Sequence, residues 1–177
     1  LSSFVYSTTF GRARTVVSTP NISPTAFLVD RCENVYVSGW GGGINQALKY
    51  PNSGTGGMFV TSDALQRSTD TKDFYFFVLQ RDGTAPLYGS YFGGAGLYEH
   101  VDGGTSRFDR NGIIYQGICA WCNVDASGSK PRYPTTPGAY SSTPPMSCNF
   151  GALKIAFNLD GVKAGVKTLD RRTNYCF

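Results

Sequence analysis

The run Phe74–Leu79, Phe-Tyr-Phe-Phe-Val-Leu, has no polar face. Side chains alternate across an extended strand, so Tyr75, Phe77 and Leu79 point one way and Phe74, Phe76 and Val78 the other. A strand at the surface of a sandwich alternates apolar with polar residues; this one needs cover on both sides. Asp82-Gly83 follows, a pair suited to a tight turn because both residues tolerate positive φ, and then a second strand-like run reaches Gly94. A hairpin that is apolar on both faces belongs inside a stack of sheets. An inner strand of a β-propeller blade is so placed, packed on the blade before it and the blade after it.

Composition agrees with short strands and many turns: 22 Gly and 9 Pro stand beside 11 Tyr and 12 Phe. With 41% hydrophobic and 16% charged residues the chain is globular. No window repeats apolar residues at helical spacing for three turns, so the fold class expected is all-β. The net charge of +4 is mild. Arg12 and Arg14 sit together, and Lys154, Lys163, Lys167, Arg171 and Arg172 cluster late, as on a solvated strand face. Nucleic-acid binders carry a denser basic stripe, and no nucleic-acid partner is expected. No run of eighteen apolar residues occurs, so no membrane insertion is expected. The chain begins at Leu1, without a signal peptide, inside a strand-like run, and is expected to be an excerpt of a longer polypeptide. Five Cys suggest an oxidising, extracellular setting; their odd number leaves a thiol unpaired or paired outside the chain.

Four landmarks recur in one order at a spacing near 80. Residues 4–11 echo 87–94, with Phe10-Gly11 matching Phe92-Gly93. Residues 26–40 echo 106–121, Asp30 matching Asp109 in the turns. Ala64-Leu65 match Ala139-Tyr140. Asp82-Gly83 match Asp160-Gly161. Such a period marks a repeat architecture, here four strands to a unit and one blade per unit. Residues 1–11 then supply the last strand of a preceding blade. Residues 24–94 form one blade repeat, 95–170 a second, and 171–177 the exit into a further module. Two blades do not close a ring, so other blades of the same polypeptide or its assembly are the expected partners.

The landmarks resemble the SBBP family, the bacterial seven-bladed β-propeller repeat. Tyr6-Ser7-Thr8-Thr9-Phe10-Gly11 and Gly89-Ser90-Tyr91-Phe92-Gly93-Gly94 look like its aromatic-Ser-Thr-aromatic-Gly-Gly element. Val29 to Gly39 is similar to its Asp-x-x-Gly-Asn-val-Tyr-val-Thr-Gly hairpin. Tyr133-Pro134-Thr135-Thr136-Pro137-Gly138-Ala139-Tyr140 looks like its Phe-Pro-Thr-Thr-Pro-Gly-Ala-Phe run, and Asn158-Leu159-Asp160-Gly161 fits its last hairpin. The likeness reaches to about residue 170. The long loops and the Cys depart from the family pattern. The resemblance implies a secreted or cell-surface protein, often a very long chain of gliding bacteria. It implies no catalytic residues.

Cys119-Ala120-Trp121-Cys122 has redox-motif spacing but follows a strand, whereas a reactive thiol is favoured at a helix N-terminus. Structural disulfides are the expected use. A Cys122–Cys148 bridge would restrain the long second loop and stabilise by ~3 kcal/mol. Zinc would need a second ligand pair, to which Cys148, Cys176 and His100 could contribute, but their spacing is irregular. His100 is the only His, and no nucleophile elbow accompanies it. Asp30, Asp82, Asp109 and Asp160 sit in turn signatures, where Asp bonds its own backbone. Asp102, Asp109 and Asn111 are the calcium candidate, and no other cofactor is expected. Trp40, Trp121, Tyr98 and Tyr115 are candidates to stack on a sugar ring or grip a protein, Trp40 and Trp121 being the best exposed. Gly41-Gly42-Gly43 reads as a flexible loop.

The sequence therefore reads as a non-catalytic, structural or adhesive β-propeller segment that meets proteins or glycans through its rim loops. The alternatives are a carbohydrate-binding module and a surface hydrolase or lyase on a propeller scaffold.

Overall fold

The computed structural model describes residues 3, 5–12, 21–30, 32–50, 53–102, 106–109, 113–122, 133–142 and 148–157, with the side chains of 121 and 122 outside the description. The chain is mostly β, in two antiparallel sheets. Sheet A is a meander of β1 (Ser23–Val29), β2 (Val35–Trp40), β3 (Phe74–Leu79) and β4 (Pro86–Phe92), each strand beside the next. In sheet B, β7 (Ile113–Cys122) is the centre. β5 (Tyr98–His100) and β6 (Ser106–Phe108) lie along one of its edges, and β8 (Asn149–Ala156) along the other. Neither sheet closes on itself.

β3 is buried on both faces, as its sequence requires: Phe74, Phe76 and Val78 are 0% exposed, Tyr75 1% and Phe77 4%. The covers differ in kind. Phe74, Phe76 and Val78 join Tyr36, Phe108, Ile114, Ile118 and Ile155 in a core between the sheets. Phe157 touches the rings of Tyr36, Phe76, Tyr88 and Phe108 there. Tyr75 and Phe77 face away from sheet B and are covered by the chain's own long polar segment, through Met58 and Val60, with Ile22 and Tyr91. Tyrosine hydroxyls tie that segment down: Tyr75 donates to Phe59 O at 2.6 Å and Tyr91 to Met58 O at 3.2 Å. Phe10 adds a stacked ring over Phe77, centroids 4.6 Å apart.

Two local expectations are corrected, and the described residues of 1–11 pair with no strand of this chain. They meet sheet A through side chains such as Phe10, without a ladder partner. At Asp82-Gly83 only Gly83 takes positive φ (72°). Asp82 instead accepts the Thr84 amide and hydroxyl, and Gln80 N donates to Ala85 O to close the loop. Gly41–Gly43 is no slack loop. Gly42 sits at φ 100°, and Gly43 begins a one-turn helix, α1 (Gly43–Ala47), with the Tyr98 ring against it.

The two sheets use the same turn chemistry. Asp30 N donates to Asn34 O at 3.1 Å, and Asn34 N donates back to Asp30 Oδ1 at 2.9 Å. Asp109 N donates to Ile113 O at 2.9 Å, and Ile113 N donates back to Asp109 Oδ1 at 3.1 Å. Ala64 N closes a turn on Thr61 O, and Ala139 N one on Thr136 O. Superposing the chain on these landmarks sets Tyr36 on Tyr115 and Phe76 on Lys154. Tyr36 and Phe76 face sheet B. Tyr115 and Lys154 pair on the face of sheet B that looks away from sheet A. Positions matched by these sequence landmarks thus lie on sheet faces that point the same way.

Candidate functional site

The described polar groups converge at the corner where β4 turns into β5. Gly93 and Gly94 lead into it, then Tyr98, Glu99 and His100; Asp70, Lys72 and Asp73 enter from the start of β3. Gly93 N donates to Gln66 Oε1 at 3.0 Å and Gly94 N to Glu99 Oε1 at 3.2 Å. Gln66 Nε2 donates to Asp73 Oδ2 at 3.2 Å, while Asp70 accepts the Gly96 and Lys72 amides. A side chain at residue 93 would collide with Asp73 Oδ1 and come within 2.7 Å of Glu99 Oε2. The missing Cβ is what lets two carboxylates approach.

Both carboxylates are about 1% exposed, and Asp73 Oδ1 and Glu99 Oε2 have no hydrogen-bond partner among the described residues. Burial raises Glu99 to about 8, against the lowering Gly94 amide, with Asp73 and Asp70 adding to the rise. Burial likewise raises Asp73 to about 6 against its hydrogen bonds. Tyr133, buried with its hydroxyl unpartnered among the described residues, is pushed up by burial and then by Glu99. Nothing in the sequence reading pointed to Asp70 or Asp73. The available signal was an Asp-x-x-Asp directly before an all-apolar strand.

The aromatic candidates separate. Trp40, expected exposed, is 8% exposed and packs edge-on against His100, centroids 5.7 Å apart. It closes the inter-sheet core because it ends β2 on the face that meets sheet B. By the shared turns its counterpart is Cys119, not Trp121. The Trp121 side chain lies outside the described residues. Tyr98 lies against Gly43 with the Lys72 ammonium 4.2 Å from its ring centroid. Tyr115 is 41% exposed on the outer face of sheet B, with Lys154 over its ring at 5.3 Å.

Asp102 and Asp109 part company. Asp109 serves its own turn, whereas Asp102 Oδ2 lies 3.3 Å from His100 Nε2, in a group with Cys119. Asn111 lies outside the described residues. Cys32 and Cys148 are each disulfide-bonded, and Cys119 keeps its thiol. The Cys122 side chain, half of the expected bridge, and Cys176 lie outside the described residues. A cavity of about 770 Å³ runs beside β8, lined among others by Phe92, Tyr133 and a fully exposed Tyr140.

No protein-family model matches the chain, and neither does any curated protein or solved structure.

Proposed function

We propose that the chain is a non-catalytic structural or adhesive segment of a β-propeller of SBBP-repeat type, within a secreted or cell-surface bacterial protein. The supporting observation is that the landmark-matched faces point the same way. The face of sheet A that meets sheet B corresponds to the face of sheet B that looks outward. A sandwich with a two-fold axis would bring equivalent faces together; a same-sense stack repeats, and closes only as a ring of further copies. Each end keeps exposed apolar residues, at the sheet A end on β1, beside the part that the Met58–Val60 segment covers. Phe27 is 69% and Val29 47% exposed at the sheet A end, and Phe150 is 78% exposed at the sheet B end. Val29 corresponds to Phe108, which is buried against Tyr36. Further blades of the same polypeptide or its assembly are the partners these ends fit.

Against an enzyme stands the burial of the best acid pair: at about 1% exposure, Asp73 and Glu99 meet no substrate. A glycan-binding rim is the second reading. It is favoured by the cavity beside β8, whose size falls among ligand sites of about 300–1,000 Å³. Tyr140→Ala then removes binding on a glycan array, whereas pure scaffolding leaves the array blank for both forms.

The stacking is tested by blocking one end at a time. Phe27→Glu with Val29→Glu blocks the sheet A end; Tyr115→Glu with Phe150→Glu blocks the sheet B end. In analytical ultracentrifugation each blocked chain alone is monomeric, and an equimolar mixture of the two forms one-to-one dimers. A mixture that stays monomeric at high concentration counts against the reading.

A further inference from the structure

The bulged register of β5 on β7 sets His100 opposite Cys119. Asp102, two residues on, brings Oδ2 to 3.3 Å from His100 Nε2. One donor atom from each of the three lies within 4.8 Å of the others. The donors differ in kind: an imidazole nitrogen, a sulfur and a carboxylate oxygen. His100 is 6% exposed and braced by the Trp40 ring, Cys119 is half-buried, and the Asp102 side chain is 80% exposed. The cluster is anchored at its base and open at its mouth. Cys32 and Cys148 are oxidised, but the Cys119 sulfur is not in a disulfide.

We propose that His100, Asp102 and Cys119 form a binding site for a divalent cation of the Zn²⁺ class, with its remaining position left to water or an outside ligand. The donor set selects the metal. Imidazole and thiolate suit Zn²⁺ and its Co²⁺ substitute, whereas Ca²⁺ and Mg²⁺ take oxygen donors. Spacing suits it too. Ligand atoms about 2.0–2.3 Å from a tetrahedral Zn²⁺ stand roughly 3.3–3.8 Å apart. The 3.3 Å between Nε2 and Oδ2 already matches, and rotation of the exposed Asp102 adjusts the rest. On binding, the thiol proton leaves to solvent and the thiolate becomes the ligand. His100 Nδ1 is buried without a hydrogen-bond partner among the described residues, so the one acceptor that meets the ring is the exposed Asp102 carboxylate at Nε2, itself a proposed ligand.

The test is a Co²⁺ titration of the chain with its disulfides intact. The expected result is a thiolate-to-cobalt charge-transfer band in the near ultraviolet that saturates at one equivalent and is bleached by Zn²⁺. Cys119→Ser removes the band. Asp102→Asn, an exposed substitution that spares the core, weakens binding by at least about tenfold, the lower end of what an indirect contact to a ligand already costs. If Cys119→Ser fails to fold, Zn²⁺ protection of the Cys119 thiol against alkylation, mapped by peptide mass, gives the same answer. No band at one equivalent, or a band unchanged in Asp102→Asn and no protection of Cys119, overturns the site and leaves a His–Asp contact beside a thiol.

Discussion

Glu33 holds a backbone conformation that its side chain opposes. Its φ is 67°, in the left-handed region, and its amide closes the turn on Asp30 O. Gly112 has the matching place after Asp109 in the sequence. Left-handed backbone costs an ordinary residue roughly 1–2 kcal/mol, and Gly gives back part of that in unfolded-state entropy. Glu33→Gly is therefore expected to stabilise the chain by about 0.5–1 kcal/mol in urea titrations; a loss of stability would mean that the turn is not strained. Glu99 makes a prediction of pH dependence. Folded, burial holds its proton up to about 8; unfolded, it is released near about 4.3. The folded chain thus binds more protons between these values. Stability from this group is full below the unfolded value and falls as pH rises towards 8, with Asp73 adding its part towards 6. Glu99→Gln should abolish the upper part of that fall, on the order of a few kcal/mol at pH 8, as read from denaturation midpoints across pH 5–8. The same slope in both proteins would refute it. Sequence spacing revealed the turn aspartates because they act within a few residues. Asp73 and Glu99 meet only through the fold, and spacing was silent about them.

Among the elements, β3 was legible because both of its alternating sets are apolar, and a pattern with no polar face admits no solvent face. What would cover it was not legible. The expectation was a sheet on each side; the structure supplies a sheet on one side and the Met58–Val60 segment on the other. That segment is polar in composition, and tyrosine hydroxyls from β3 and β4 hold it by its backbone, a bond to which side-chain hydropathy is blind. α1 went unseen for a related reason: one turn is too short to show a 3.6-residue period. Phe157 joins the sheets, meeting the rings of Tyr36, Phe76 and Tyr88 in sheet A and of Phe108 in sheet B. Phe157→Ala is expected to cost about 3 kcal/mol or more, as large-to-small core substitutions do. The check is a lower denaturation midpoint with loss of near-ultraviolet circular dichroism. A change below about 0.5 kcal/mol, the size of an ordinary surface substitution, would mean that the inter-sheet core does not depend on it.

For the whole molecule, the covalent and non-covalent ties act together. Cys32 lies in the first turn of sheet A and Cys148 at the entry to β8 of sheet B, and both are in disulfides. Reduction should lower the unfolding free energy by about 2–4 kcal/mol per bridge, seen as a fall in urea midpoint with dithiothreitol. An unmoved midpoint would mean that the bridges restrain nothing the core does not already hold. In the proposed propeller the stack is polar in direction, and each end would present the surface that its opposite end covers. The apolar residues left at those ends, Phe27, Val29 and Phe150, lie on strands whose other faces are packed.

Alternation and turn residues determined that the chain is mostly β, roughly where β1 to β4 and β6 to β8 lie, and that Asp30, Asp82 and Asp109 make turns. All of these are short-range properties, set by the stereochemistry of a few neighbouring residues. Only the tertiary structure decided that Trp40 is buried, that Gly93 admits two carboxylates, and that Asp102 sits with His100 and Cys119 and not with Asp109. Those facts depend on which strand lies beside which and in what register, and that is set by the packing of the whole core.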